Sequence, residues 1–408
     1  MARTAGRNVT GLGRRAGFAA AAYALAVTML GTTLPTPLYP IYRSEFGFSE
    51  LMVTVIFATY AVGVIAALLL VGRLSDEIGR RWALLPGLAF SALSAVAFLL
   101  AHGLGLLLLG RVLSGLSAGI FTGTATAALV DLAPPDGRER ATVVATVATM
   151  GGLGCGPLVA GLLAEFAVSR LRLPFWVDLA LLVPAAALVW LMPETVEATD
   201  RPRLHVQRLQ VPPEVRSVFA GAALAGFAGF AVLGLFTAVA PGFLGEVLDM
   251  GNHALIGLVV FVVFTASTVG QTLLARIFGT RALVAGCVGL LAGMGLLALG
   301  LAASSLALVV AAGVVAGLGQ GLSFRAGLTA VTMASPADRR GEVASSFFVV
   351  AYVAISLPVV GVGLVAELAG LRAAGLIFAA AVSALAVIVL VLVTRGAGRR
   401  ARPVVVAE

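Results

Sequence analysis

Few residues of this 408-residue chain are of a type that does chemistry, and they are scattered. Cys155 and Cys287 stand in apolar runs and read as small packing residues, with no disulfide framework around them. His102, His205 and His253 fall in loops or at the ends of apolar runs, and no His/Glu cluster has the spacing of a metal site, so no metal and no cofactor is expected. No Ser/His pair lies in the apolar runs, which argues against an intramembrane enzyme. A Gly-rich loop ending in Lys-Ser or Lys-Thr is missing, which argues against ATP as an energy source.

What remains is a handful of polar residues embedded in apolar sequence. An arginine at the centre of a membrane helix costs about 2.5–3.5 kcal/mol on insertion scales, so Arg111 should face a cavity or a partner and not lipid. Asp178 is the one acid clearly inside an apolar run. It reads either as a protonatable carboxylate for proton coupling or as a solvated helix-end carboxylate. Arg325 reads either as a cavity residue or as a side chain snorkelling to the near surface, and Gln271 as an interhelical hydrogen bond. Glu165 and Glu367 stand at the outer ends of their runs and read as interface anchors.

The elements that must position these residues are membrane helices. The chain is 60% hydrophobic and 11% charged, with a mean hydropathy of +1.07, where an ordinary soluble domain is roughly a quarter charged. Apolar runs near the ~20 residues needed to cross ~30 Å of hydrocarbon recur along it. They place spans at 18–38, 51–71, 82–101, 106–130, 141–163, 175–192, 218–243, 255–275, 282–301, 306–333, 343–365 and 373–393. Continuous apolarity over helical lengths indicates helices and not an outer-membrane barrel, hence an all-α membrane protein with twelve transmembrane helices. The first run is longer than a signal h-region, ends in prolines and lacks a small-residue cleavage site.

All 27 basic residues are arginine, and 21 of them fall on the side that an even number of spans gives to both termini. By the positive-inside rule that side is cytoplasmic. The net charge of +8 thus reflects topology and implies no nucleic-acid partner. A lysine-free, alanine- and arginine-rich composition suggests a GC-rich bacterial genome, and so a multi-pass protein of the bacterial inner (plasma) membrane, in contact with lipid.

The longest polar stretch lies near mid-chain and divides the sequence into a bundle at 1–192, a linker at 193–217 and a second bundle at 218–408. A shift of 202 pairs Gly115 with Gly317, Gly119 with Gly321, Pro134 with Pro336, Gly161 with Gly363 and Glu165 with Glu367. A shift of 200 pairs Gly79 with Gly279 and Arg81 with Arg281. Such matches indicate a parallel duplication, with a substrate site between the halves near mid-membrane.

Between spans 2 and 3 stands Gly72-Arg73-Leu74-Ser75-Asp76-Glu77-Ile78-Gly79-Arg80-Arg81. Two glycines permit a tight turn, and the acid and arginines can make charge-assisted contacts at helix ends. This string resembles the signature loop of the major facilitator superfamily. Leu30-Gly31 followed by Pro37-Leu38-Tyr39-Pro40 resembles the first-span motif of twelve-span drug/proton antiporters. Arg111 to Gly115 with Gly119 resembles their fourth-span arginine motif, and Gly152, Gly156, Pro157 and Gly161 their fifth-span antiporter motif, with Val143 and Ala160 where glycines are usual. In the second half Arg276 stands opposite Asp76 and departs from the loop pattern, and the carboxylate that several such exporters carry deep in span 1 is absent.

The resemblance implies a major facilitator fold of two pseudo-symmetric six-helix bundles rocking about a central cavity. It makes Gly72, Asp76, Gly79, Arg80 and Arg81 a conformational latch in which the acid pairs with neighbouring arginines and faces the start of span 11. With spans 1, 4, 7 and 10 around the cavity, Met29, Thr33, Arg111, Phe227, Phe230, Gln320 and Arg325 are lining candidates, and Arg111 and Asp178 are proton-coupling candidates. The function implied is proton-coupled efflux of a small amphipathic molecule, a drug or metabolite, by a chain that can work as a monomer. Proton symport for nutrient uptake and a non-transporting sensor on the same scaffold are the alternatives.

Overall fold

The computed structural model describes residues 11–71, 74–197, 199, 207 and 209–400, the last six of these by backbone alone. Its helices are α1 (Arg14–Thr33), α2 (Tyr39–Phe46), α3 (Glu50–Val71), α4 (Leu74–Ile78), α5 (Arg80–Leu99), α6 (Leu104–Leu132), α7 (Arg138–Phe166) and α8 (Leu173–Leu191). They continue as α9 (Arg216–Ala238), α10 (Ala240–Gly242), α11 (His253–Val269), α12 (Ala275–Phe278), α13 (Ala282–Ala302), α14 (Leu306–Ala334), α15 (Arg340–Ala369) and α16 (Leu371–Arg400). No strand occurs among the described residues.

Eleven helical stretches are long and apolar enough to cross a membrane, and one of them, His253–Ala302, is 50 residues long. At about 1.5 Å per residue that is roughly 75 Å, more than twice the hydrocarbon thickness. The chain breaks within it at Gly279, whose φ of 50° lies in the region that glycine favours. The stretch therefore holds two spans. The twelve expected spans correspond to α1, α3, α5, α6, α7, α8, α9, α11, α13, α14, α15 and α16.

The two halves repeat one packing scheme. In the first, α1 packs on α6, α7 and α8, while α6 packs on α3 and α5, and α5 on α8. In the second, α9 packs on α14, α15 and α16, while α14 packs on α11 and α13, and α13 on α16. The halves meet along α7 with α11 and α3 with α15, two pairs that exchange under the same correspondence. Small residues permit these approaches, since lipid offers no hydrophobic drive between helices. A Cβ on Gly63 or Gly115 would overlap the backbone of the other's helix, and Gly317 and Gly321 stand in the same relation to α11 and the turn after it. Outward positions such as Val62, Val183, Leu299 and Leu364 are exposed, as a hydrocarbon-facing surface requires.

Both chain ends of the helical body lie on one face, here the terminal face. Arg14 donates to the Asp131 carbonyl at the end of α6, and Val393 of α16 borders a cavity with Arg276 and Gly279. The opposite face carries the α2, α7–α8 and α9–α11 connections.

Candidate functional site

Between the halves lies a cavity of about 380 Å³. Its two sides differ in chemistry. From the first half, α6 contributes Thr122 and Thr126 and α7 contributes Thr142, Thr146 and Thr149. The i, i+4 spacing puts each set on one helix face. Thr122, Thr126, Thr142 and Thr146 donate their hydroxyl hydrogens to the carbonyls one turn earlier, at 2.7, 2.9, 3.1 and 3.0 Å. Their oxygen lone pairs remain for the cavity. From the second half come Phe230, Phe324 and Phe348, with the Phe324 ring 5.1 Å from Phe230 and 6.0 Å from Phe348.

Met29, Thr33, Arg111, Phe230 and Arg325 line this cavity. Phe227 instead packs in the second half's own core beside Phe219 and Leu328. Gln320 is fully buried; it accepts a 2.5 Å hydrogen bond from Ser267, which also takes one of 3.1 Å from Gln271. Helix rotation explains both placements: Gln320 faces α11, and Gln271, carried by a π-helical turn at Gly270–Leu274, reaches the cavity in its stead. Toward the terminal face a second cavity of about 690 Å³ shares Thr142, Thr146, Gln271 and Arg325 with the first, and is bordered by the exposed Glu139 and Arg276. The central cavity thus adjoins a second one toward the terminal face.

Its other end is closed. Arg111 sits about 10 Å in from the start of α6 by helical rise and is only 2% exposed. It donates to the Thr32 carbonyl at 2.6 Å and, weakly, to the Phe57 carbonyl at 3.4 Å. The guanidinium carbon lies 5.4 Å from the Phe57 ring centre and 4.8 Å from that of Tyr60.

Asp178, also 2% exposed, presses its carboxyl on Gly31: a Cβ there would stand 2.7 Å from Oδ2. Its Oδ1 has no hydrogen-bond partner. The solvated helix-end reading of Asp178 is therefore corrected. Span 1 lacks a carboxylate of its own, but α8 presents one to it, one residue before the carbonyl that Arg111 grips.

The face opposite the termini is sealed by close backbone contact and by ion pairs. A Cβ on Gly152 would overlap the Ala26 carbonyl of α1, and one on Gly156 the Leu30 carbonyl. Farther along α7, Gly161 abuts the His253 carbonyl and Pro157 abuts Gly257, both on α11. The fifth-span glycines thus pack α7 on its own bundle first and on the other half next. Glu165 accepts from the His253 backbone N–H at 2.9 Å and lies 3.3 Å from its Nδ1, and Arg43 bridges Glu50 to Glu246 of the second half, the latter at 2.6 Å. His253 therefore takes part in an inter-half contact that its position at a span end did not announce.

At the terminal face, Gly72 and Arg73 lie outside the described residues, as does His205. Asp76 pairs with Arg80, which also reaches Asp131 at 3.1 Å and Ser75 at 2.9 Å. The backbone N–H groups of Arg80 and Arg81 donate to Glu194 at 2.8 and 3.0 Å. Gly79 is needed twice over: its φ is 103°, and a Cβ would stand 2.5 Å from the Glu194 carboxylate. Arg81 lies beside the edge-to-face pair Trp82 and Trp190, 4.9 and 5.6 Å from their ring centres. The loop is held within its own bundle by Asp131 and Glu194, both missed in the sequence because they stand 51 and 114 residues away. Asp76 is more than half exposed and bonded to its own loop, not to the start of α15. In place of a second latch, Arg276 pairs with Glu139 of the first half at 2.7 Å.

A model of the Major Facilitator Superfamily matches residues 21–357. A triacylglyceride transporter of Mycobacteroides abscessus is 34% identical over 188 residues, 45% of this chain and 34% of that protein. The quinolone resistance protein NorA of Staphylococcus aureus is 27% identical over 147 residues, 36% of this chain and 37% of that protein. The chain thus spans about a third of the length of these curated relatives. Among solved structures, a bacterial homologue of the human lysosomal transporter Spinster, inward-facing and unoccupied, aligns with a TM-score of 0.68 at 18% identity over 94% of this chain and 98% of that one. The human organic anion transporter MFSD10 aligns with a TM-score of 0.66 at 18% identity over 93% and 99%.

Proposed function

We propose that this chain, which belongs to the major facilitator superfamily, is a secondary active transporter that exports a small amphipathic molecule in exchange for protons. Its bundles are residues 1–192 and 218–408, joined by 193–217, and one copy suffices because the cavity is built from one chain. The arginine distribution puts the terminal face in the cytoplasm, which makes the state described here inward-open. The partial relationship to NorA, a quinolone resistance protein, favours efflux of a drug-like compound.

One observation carries the reading: Pro157 and Gly161 of α7 close on α11 of the other half at the outer face, while the central cavity adjoins a second one on the cytoplasmic side. An exporter must load from inside without leaking protons through an empty site, and a backbone-to-backbone seam excludes water as side chains alone do not. Asp178 supplies the coupling. A protonated carboxyl can sit dry against Gly31, whereas a carboxylate needs water or a counter-charge, so gain or loss of the proton is linked to whether α1 packs on α8. Substrate in the cavity touches the other side of α1, at Met29, Thr32 and Thr33. Proton and substrate thus compete through the position of one helix. Gly72, Asp76, Gly79, Arg80 and Arg81 act as the latch of the cycle, with Asp131 and Glu194 holding the arginines.

The test is reconstitution in liposomes with a pH-reporting dye and a panel of lipophilic drugs and metabolites. Proton flux that depends on an added compound and falls to background in Asp178→Asn is the expected result. Flux that survives Asp178→Asn moves the proton site elsewhere. Compound and proton travelling the same way would replace exchange with symport.

A further inference from the structure

Arg111 is a cation without an anion. No described carboxylate pairs with it, and its contacts are two carbonyls and two aromatic faces. These are dipoles and quadrupoles, which solvate a guanidinium but leave its charge uncancelled. Its Nε–H is buried with no hydrogen-bond partner. The residue nonetheless borders the central cavity, at the closed end.

The rest of the cavity has the same sign. Among the described residues its one other charged lining residue is Arg325, toward the open end, and no described Asp or Glu lines it. At the mouth the acid Glu139 is already paired with Arg276. A cation entering here would give up water and meet two arginines with no compensating carboxylate. An anion would meet Arg325 first and Arg111 last.

From this arrangement, and resting on the transporter reading above, we propose that the transported molecule is an amphipathic carboxylate. Its carboxylate binds the Arg111 guanidinium, whose planar fork suits a two-oxygen anion, and its apolar body lies on Phe230, Phe324 and Phe348. The lone pairs of the threonine wall accept from any N–H or O–H on the body. To reach Arg111 the carboxylate replaces the Thr32 carbonyl as its partner, and so loosens α1 one residue from the Gly31 contact with Asp178.

The experiment uses the full chain in nanodiscs and three probes with one aromatic body: 2-naphthylacetate, 2-naphthylacetamide and 2-(2-naphthyl)ethylammonium. Affinities are read by isothermal titration against empty nanodiscs. The acetate should bind roughly 10- to 100-fold more tightly than the ammonium, the range of one charge-assisted hydrogen bond, with the amide between. Arg111→Gln should collapse the three affinities toward one another, and Arg111→Lys should keep their order. Ammonium binding as tight as acetate overturns the proposal, as does an unchanged preference in Arg111→Gln with a native melting temperature. If Arg111→Gln does not fold, the wild-type order and Arg111→Lys decide alone. Liposome flux separates this inference from the one beneath it. Acetate that binds selectively but moves in the same direction as protons leaves the anion site standing and sinks exchange. Proton exchange driven by the ammonium probe in place of the acetate leaves export standing and sinks the anion site.

Discussion

The two halves share a packing scheme and differ in charge. Every helix pair of the first bundle has its counterpart in the second, yet among the described residues the buried charges, Arg111 and Asp178, lie in the first alone. At the shift that aligns the halves, Arg111 corresponds to Gly313 and Asp178 to Ala380. There is no room at Gly313 for a larger residue, because a Cβ would stand 2.8 Å from Val263 and close to Phe236. The second half instead contributes phenylalanines to the cavity and a neutral Ser267–Gln320–Gln271 network. Duplication kept the scaffold, and the buried chemistry became one-sided: the first bundle holds the buried charges, and the second sets phenylalanines and the partly buried Arg325 opposite them.

The sharpest way to break this comparison is at the helix seams. Gly156→Val puts a branched side chain where Cβ alone would overlap the Leu30 carbonyl, whereas a Cβ on Gly361 of α15 meets nothing within 4 Å. Overpacking of this kind costs about 1–3 kcal/mol or more when backbone must move. Gly156→Val should therefore lose most of its monodisperse yield in size-exclusion chromatography and melt well below wild type, while Gly361→Val keeps both. Equal tolerance at the two positions would mean that the α1–α7 contact does not require a glycine at 156.

A smaller effect is expected at the loop after α3. Asp131→Asn removes the carboxylate charge that meets Arg80 Nε at 3.1 Å, yet leaves Asp76 and Glu194 in place. A partly exposed charged contact is worth roughly 0.2–1 kcal/mol, and a latch acts by favouring one conformation of the cycle over the other, so the transport rate in liposomes should fall a few-fold at an unchanged melting point. A fall in melting temperature without a change in rate would make Asp131 a structural residue only.

The spans, the duplication and the loop after α3 could be read from the sequence because each is written in contiguous residues: apolar runs of membrane length, glycines at a fixed shift, a ten-residue string. The contacts of Asp178 could not. Its depth in span 6 was visible, but whether its side chain faced water or Gly31 depends on helix rotation, which a uniformly apolar span leaves unmarked. The same ambiguity put Gln320 on the cavity wall, where Gln271 stands instead, displaced by a π-helical turn that no residue type signals. The threonine wall was missed for another reason. Threonines bonded to the preceding turn are common filler in membrane helices, and only the cavity beside them distinguishes these five.

The smallest effect is expected where the two halves touch at the rim of the terminal face. Arg276 and Glu139 meet at 2.7 Å with side chains 60% and 76% exposed, so water and salt screen the pair and its contribution to stability is negligible. Arg276→Gln should leave the melting point unchanged and alter transport less than Asp131→Asn. Its informative readout is salt dependence. The pair spans the opening between α7 and α12, so whatever it contributes is to holding the rim, and that contribution is screened within a Debye length of about 10 Å at 0.1 M salt. Transport by wild type and Arg276→Gln should therefore converge as ionic strength rises. A difference between them that persists at high salt would show that Arg276 acts through a contact other than Glu139, and would give the second half a charged device of its own, against the one-sided division argued here.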